Sequence, residues 1–310
     1  MNSDHISSTR SVENQTDFRA VRGAMINEQT PPAQSEVEER IEEIKIRGYT
    51  LIKNAYTPEE IEYTKEKISS IYEQQVEELG GKENMLKSSD FNIARQLLAY
   101  DDFFLKKARH PIVIEIINKV MGNHFILYQQ NGNIHLPSPD AANTASEEDE
   151  KYSNIPATTV PWHRDLTFYH YTSSRPLAMT ALHSITESTE ITGGTPMLPG
   201  SQKIEKFPTY KYIEENQVLV PAPAGSIWLF DSMMFHRAGF NRSKEIRYSI
   251  NHMYTLHLMA QQISIPRMLK GKWKDDESLR SFLGYNCMQQ ASVEDWRREK
   301  ISNPRKSVKY

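Results

Sequence analysis

Cysteine is nearly absent. Cys287 is the single one in 310 residues, which excludes an internal disulfide and a cysteine-based metal cluster. Long apolar runs are also missing, and none approaches the ~20 residues a membrane-crossing helix requires. There is no excess of positive charge: 37 Lys and Arg stand against 40 Asp and Glu, for a net charge of −3 and a pI of about 6.4. That balance removes the basic footprint of a nucleic-acid binder. The opening stretch, MNSDHISSTRSVENQ, has no apolar core of the kind a secretory signal carries. These absences set the expectation of a soluble protein of a reducing, cytoplasmic compartment, with neither nucleic acid nor membrane as partner.

What is present points to one large domain. Residues 1–34 are polar, with a Pro-Pro pair at 31–32, and read as a flexible tail. A helical pattern follows to Arg47 and stops at Gly48, and Tyr49 to Ile52 reads as a short strand. Thr57, Pro58 and Glu60 form a capping box for a long helix with Ile61, Ile68, Tyr72, Val76 and Leu79 as its buried stripe. Another helix starts at Pro111. From His124 to Leu258 short β-rich runs alternate with turns, at 124–130, 132–136, 160–169, 177–183, 196–198, 217–221, 226–230 and 246–257. The fold class expected is α+β, mainly β: a double-stranded β-helix, or jelly-roll, core behind a helical N-terminal wall. The domain is expected to span 35–270, with a charged C-terminal extension over 271–310. An acidic, polar insert at 137–159 reads as a solvated loop, with a lid over the site as the sharper alternative.

The chemistry is concentrated in Trp162-His163-Arg164-Asp165, answered by Phe235-His236 and then Arg247. In a strand, residues two apart share a face, so His163 and Asp165 can grip one metal ion while Arg164 points away. A third ligand from a distant strand, His236, leaves about three positions of an octahedral ion open, which suits Fe(II) binding a co-substrate together with oxygen. A structural zinc site would close with four ligands, often including Cys. Arg247 and Ser249 share a face of the last strand. If that face is inward, a buried guanidinium needs a carboxylate partner, which the far end of a diacid would supply. Arg242 competes for that role but sits in the polar stretch NRSKE.

The strings WHRD, TGGTPMLPGSQK (192–203) and APAGSIWLFDSMMFHRAGFNRS (222–243), with an arginine eleven positions after the second histidine, resemble the phytanoyl-CoA dioxygenase family over roughly residues 40–260. The resemblance implies an Fe(II)- and 2-oxoglutarate-dependent dioxygenase that consumes O2 and releases succinate and carbon dioxide. It implies His163, Asp165 and His236 as catalytic iron ligands and Arg247 as the anchor of the 2-oxoglutarate C5 carboxylate. It also places the hydroxyl of Thr180 near that arginine and the amides of Gln129 and Asn133 on 2-oxoglutarate. Gln129, Asn131 and Asn133 stand at alternate positions, and hydrogen bonding across a wet barrel mouth is the equal alternative for the first and last. Thr192 and Gln202 depart from the family's usual Asn and His, which predicts altered loop bonding. Halogenating relatives carry a small residue where this chain has Asp165, so hydroxylation or a related oxidation is implied. Trp162, Phe168, Tyr169 and His170 flank the ligands and could line a substrate pocket or simply pack.

The substrate expected is a small metabolite of natural-product or specialised metabolism, because no basic cluster for a CoA phosphate accompanies the motifs. An acyl-CoA hydroxylase is the alternative within the family. Outside it stand a non-catalytic cupin-like metal and ligand binder and a jelly-roll interaction module.

Overall fold

The computed structural model describes residues 33–137, 161–166 and 172–302. The tail before residue 33 and the insert over 138–159 lie outside the described residues. The chain divides into two units, Met1–Gln34 and Ser35–Tyr310, and among the described residues every helix and strand belongs to the second.

α1 (Glu36–Arg47) is capped by Ser35, whose hydroxyl accepts from the Glu38 amide, and ends at Gly48 in the left-handed region at φ 92°. β1 (Tyr49–Ile52) leads to α2 (Pro58–Glu78), and both halves of the Thr57/Glu60 capping box are formed. Its buried stripe is Thr64, Ile68, Ile71, Tyr72, Gln75 and Val76. Leu79, expected on that stripe, is 45% exposed because the helix has already ended and Gly80-Gly81 turn the chain away. α3 (Lys82–Lys87), β2 (Ile93–Ala94), α4 (Phe103–Ala108) and α5 (Pro111–Met121) complete the wall. Beyond it come β3 (Phe125–His135), β4 (Ala178–Ser184), α6 (Tyr210–Asn216), β5 (Ser226–Asp231) and β6 (Arg247–Leu256). α7 (Ile265–Met268), α8 (Glu277–Phe282) and α9 (Val293–Ser302) follow.

The six strands form one antiparallel sheet in the order β1-β5-β4-β6-β3-β2. Facing it, single bridges align His163 with His236, His236 with Met197, and Met197 with Val218. These four extended stretches are the second layer of the jelly roll, joined among the described residues by a single bridge between each neighbouring pair. The runs expected at 160–169, 196–198 and 217–221 are therefore bridges among the described residues rather than full strands. In contrast, the two runs expected at 124–130 and 132–136 merge into the single strand β3. The boundary between them, Asn131, pairs with Asn251 inside the strand, and Gly132 beside it serves close packing: a Cβ there would lie 2.8 Å from Ile68 Cγ2 of α2.

Alternation gives the sheet two unlike faces. Met179, Ala181, Ile227, Leu229, Ile250 and Tyr254 pack against Ile68, Leu97, Phe104, Val113, Ile116 and Ile117 of the wall, all buried. Each such side chain contributes roughly 1.5–3 kcal/mol by leaving water. The other face is apolar around β1 and β5, with Tyr49, Leu51, Trp228 and Phe230 against Met197 and Met234. Around β3, β4 and β6 it is polar, and this half holds the site.

One polar group interrupts the apolar face. The Tyr56 hydroxyl bonds His183 Nδ1, the His183 and His252 rings lie 4.3 Å apart, and Gln130 Nε2 reaches His252 Nε2 and the Phe104 carbonyl, each at 2.8 Å. Lys107 Nζ sits 3.6 Å from the Tyr56 ring centroid and 3.6 Å from Glu60 Oε1. Burial holds His183 well below its ordinary pKa and His252 at about 3, so both are neutral in the fold. Unfolded, each binds a proton near pH 6.5. Their contribution to stability is thus complete above that pH and is lost as the pH falls, by at most about 1.4 kcal/mol per pH unit for each histidine. Urea unfolding between pH 7.5 and 4.5 should show a falling midpoint. The variant Tyr56→Phe/His183→Phe should lose stability less steeply over the same range, and parallel slopes would assign the acid lability elsewhere.

Candidate metal centre

Backbone pairing brings the three ligands together. His163 N donates to His236 O at 2.9 Å and His236 N returns the bond to His163 O at 3.1 Å, setting the two imidazoles side by side. Asp165 N donates to Ser232 O at 3.0 Å, which ties the carboxylate to the same turn. That turn is closed by Asp231, whose Oδ1 accepts from Met233 N at 2.9 Å. Arg164 points away as alternation requires: it bonds the carbonyls of Ser201, Ile204 and Glu205, and its guanidinium lies 4.0 Å over the Phe235 ring. The TGG segment is packed just as tightly against the loop beyond His236. A Cβ on Gly193 would come within 2.7 Å of Gly239 O, and one on Gly239 within 2.5 Å of Gly194 O. Thr192, one of the two departures, closes its own loop by donating to the Glu187 carbonyl at 3.0 Å.

The result is a convergent donor set. His163 Nε2 and His236 Nε2 lie 3.6 and 3.5 Å from Asp165 Oδ1, and one ligand atom from each residue falls within 4.8 Å of the others. Each Nδ1 is held by a backbone carbonyl, Pro161 O at 2.8 Å and Met234 O at 3.0 Å. Those bonds place the N–H on Nδ1 and leave both Nε2 lone pairs aimed at the shared point. Two lone pairs and a buried carboxylate facing one another call for a cation, so the residues present fit a metal ion. Burial works against the charge of Asp165, but His236 and His163 outweigh it and hold the carboxyl well below its usual range. Burial likewise opposes protonation of His163, and Asp165 wins, raising its pKa.

Thr180 Oγ1 bonds Asp165 Oδ2 and lies 2.8 Å from Ser232 Oγ. The structure thus sets this hydroxyl on the metal carboxylate instead of beside Arg247, whose level on β4 is reached only beyond Ser184, the partner of Ser249. Asn133 and Ser249 are cross-strand partners on the face that carries Arg247, with Asn133 Nδ2 3.4 Å from Ser249 Oγ. Gln129 stands on that face opposite Met253, next to a register shift at Tyr128. Asn131, between the two, accepts from the Gln96 amide at 3.3 Å. Trp162 is taken up by packing near Leu198, Ile213 and Phe235, with its ring 6.4 Å from that of Phe207. Phe168 and Tyr169, with His170, lie outside the described residues.

Arg247 is buried, 7% exposed, and burial lowers its pKa to about 10. Among the described residues it pairs with no carboxylate. Its Nη2 donates to His135 Nδ1 at 2.6 Å and its Nε has no hydrogen-bond partner. Sequence reasoning missed His135 and Ser232. His135 was within reach of it, since it continues the alternation Gln129, Asn131, Asn133 and stands opposite Arg247 in register. Ser232 carried no signal.

A jelly roll with a His-x-Asp…His cluster at the mouth of its polar half defines a class, the mononuclear non-haem iron oxygenases. The comparisons with known proteins narrow it. The family model described as phytanoyl-CoA dioxygenase matches residues 45–249, and the chain belongs to that family of 2-oxoglutarate-dependent oxygenases. Two mycobacterial proteins, Uncharacterized protein Mb1539 of Mycobacterium bovis and Uncharacterized protein Rv1501 of Mycobacterium tuberculosis, are each 31% identical over 223 residues, 72% of this chain and 76% of theirs. Among solved structures, the non-haem monooxygenase ThoJ in complex with nickel matches with a TM-score of 0.52 at 16% identity, over 72% of this chain and 80% of its own. The α-ketoglutarate-dependent epimerase SnoN from nogalamycin biosynthesis matches with a TM-score of 0.50 at 17% identity, over 71% and 82%. These two establish likeness of fold.

Losing a hydrogen bond to a metal ligand typically lowers metal affinity ten- to a hundredfold. Thr180→Val should therefore weaken Mn(II) or Fe(II) binding by about that factor, read by anaerobic titration, while leaving the fold intact by circular dichroism. Unchanged affinity would show that Asp165 is oriented without it.

Proposed function

We propose that this protein oxidises an unactivated C–H bond of a small metabolite, with hydroxylation as the outcome and a place in specialised metabolism. The observation that carries the reading is the guanidinium of Arg247, buried without a carboxylate partner among the described residues, on the same sheet face as Thr180, which holds the metal carboxylate. A desolvated cation with an unused donor is matched by the terminal carboxylate of a keto diacid. An iron ion held by His163, Asp165 and His236, with 2-oxoglutarate and O2, would supply an oxidation in which one oxygen atom ends in succinate and the other in the product alcohol, with loss of carbon dioxide.

The residues of the chain do the rest. Arg247 seats the far carboxylate, and the Ser249 hydroxyl, which accepts from the Asn133 amide, stands on the same face to donate one further bond to it. Thr180 and Ser232 keep Asp165 turned toward the metal. Asp165 fills the position that a halide would need, which favours hydroxylation. Leu166, Ala178, Met233 and Met253 form an apolar patch, with Tyr128 and Leu177 at its edge. Leu166 follows a metal ligand in the chain and Met253 pairs with Thr180, so this patch is the wall best placed to exclude water and hold a hydrocarbon part of the substrate. Of the two structural neighbours, the epimerase from nogalamycin biosynthesis supports a natural-product setting and the monooxygenase supports oxygen insertion.

The test is oxygen-dependent succinate release with Fe(II) and 2-oxoglutarate across a panel of natural products and acyl-CoA thioesters, followed by mass analysis of the consumed compound. A gain of one oxygen with a small metabolite is expected, and Asp165→Ala should abolish succinate formation. Turnover of an acyl-CoA would move the substrate to the alternative within the family. No succinate with any compound, and no binding of 2-oxoglutarate to the metal-loaded protein, would leave a ligand-binding jelly roll. An undiminished rate in Asp165→Ala would remove the metal assignment.

A further inference from the structure

The partner that Arg247 does have is unusual for a buried guanidinium. His135, at the end of β3, stands directly opposite Arg247 in the strand register and accepts from its Nη2 through Nδ1 at 2.6 Å. The His135 backbone is fixed as well, since its carbonyl accepts from Nδ2 of the fully buried Asn241 at 3.0 Å, and the same amide reaches Glu245 O at 2.8 Å. The residue is therefore held at both ends, its backbone by the loop that runs from the ligand histidine to the arginine and its imidazole by the arginine itself. Burial and the adjacent guanidinium keep it neutral, with its pKa lowered to about 3.

A carboxylate in this position would bond the same N–H and also neutralise the arginine, leaving an incoming dianion to compete with a tethered anion for the charge. A lysine would repel the guanidinium. An apolar residue would let a long, flexible side chain sample other rotamers and would leave another N–H buried without a partner. A neutral acceptor does none of this harm: it fixes one donor and leaves the full positive charge for a ligand.

We infer that His135 is a positioning residue for the co-substrate, holding the Arg247 guanidinium by Nη2 so that its orientation is fixed and its charge stays undiminished for the far carboxylate of 2-oxoglutarate. This rests on the reading of Arg247 as the diacid anchor, and the test separates the two. Asparagine places an amide oxygen where the Nδ1 lone pair of histidine lies, so His135→Asn keeps a neutral acceptor, His135→Leu removes it, and His135→Asp adds a charged one.

The dissociation constant for 2-oxoglutarate is measured anaerobically on the metal-loaded protein by calorimetry, with the metal affinity and thermal midpoint of each variant alongside. Expected are values within about threefold of wild type for His135→Asn, about tenfold weaker for His135→Leu and about a hundredfold weaker for His135→Asp, with metal affinity unchanged throughout. Where a substrate is in hand, the same order should appear in KM for 2-oxoglutarate with kcat little altered. A merely structural role would rank the variants by thermal midpoint and would not set His135→Asp below His135→Leu. Equal binding across the three variants, while Arg247→Leu loses 2-oxoglutarate, would overturn the role of His135 alone. Undiminished binding in Arg247→Leu would overturn the diacid anchor and the role of His135 with it.

Discussion

The pairing of His163 with His236 is the constraint on which the site depends. Two reciprocal backbone bonds join segments far apart in the chain, and because opposed residues of an antiparallel pair share a face, they fix the imidazoles as neighbours before any metal arrives. The carboxylate is then placed by a third backbone bond from the same turn, Asp165 N to Ser232 O. The second layer of the jelly roll is little more than this pairing and its extensions to Met197 and Val218. What keeps so slight a layer in place is the material on either side. Behind it are the TGG contact with Gly239 and the carbonyl cage around Arg164. In front lies the six-stranded sheet with its helical wall.

Much of this was legible from the residues, and where it was not the reason is physical. The capping box at Thr57 is a local device whose partners lie three residues apart, so the sequence displays it whole. The pattern His163-x-Asp165 needs only strand alternation, and its meeting with His236 followed from the chemistry the two share. The boundary at Asn131 misled because an asparagine in a β-rich run can mark a turn or simply pair, and only its partner Asn251 on β6 decides between them. The short strands of the second layer were overestimated because apolar alternation marks a stretch that can pair, while the number of rungs formed depends on neighbours. The resemblance placed Thr180 near Arg247. Its partner in the structure, Asp165, is set by how β4 faces the turn at Ser232, which a motif match along the chain does not contain.

The two ionised centres of the polar half are managed in opposite ways. Asp165 is surrounded by groups that favour its negative charge, two imidazoles and the Thr180 hydroxyl, so that it remains a ligand despite burial. Arg247 is given geometry without compensation among the described residues, a neutral imidazole on one N–H and no partner there for Nε. The first arrangement suits a resident cation and the second a visiting anion. The separation is built into β4 and β6, whose register sets Thr180 opposite Met253, with Asn251 and Ser249 between it and Arg247.

β3 is a plank nailed from both sides. On one side Gly132 lets α2 come so near that a Cβ there would lie 2.8 Å from Ile68, and on the other the flanking Asn133 bonds Ser249 on the face that carries Arg247. With no side chain at Gly132 to cushion it, a shift of α2 is passed to the strand that positions Asn133. The apolar packing of a helix outside the site thus helps set where that face stands, and a family member that moved this strand would have to repack its helical wall in the same step.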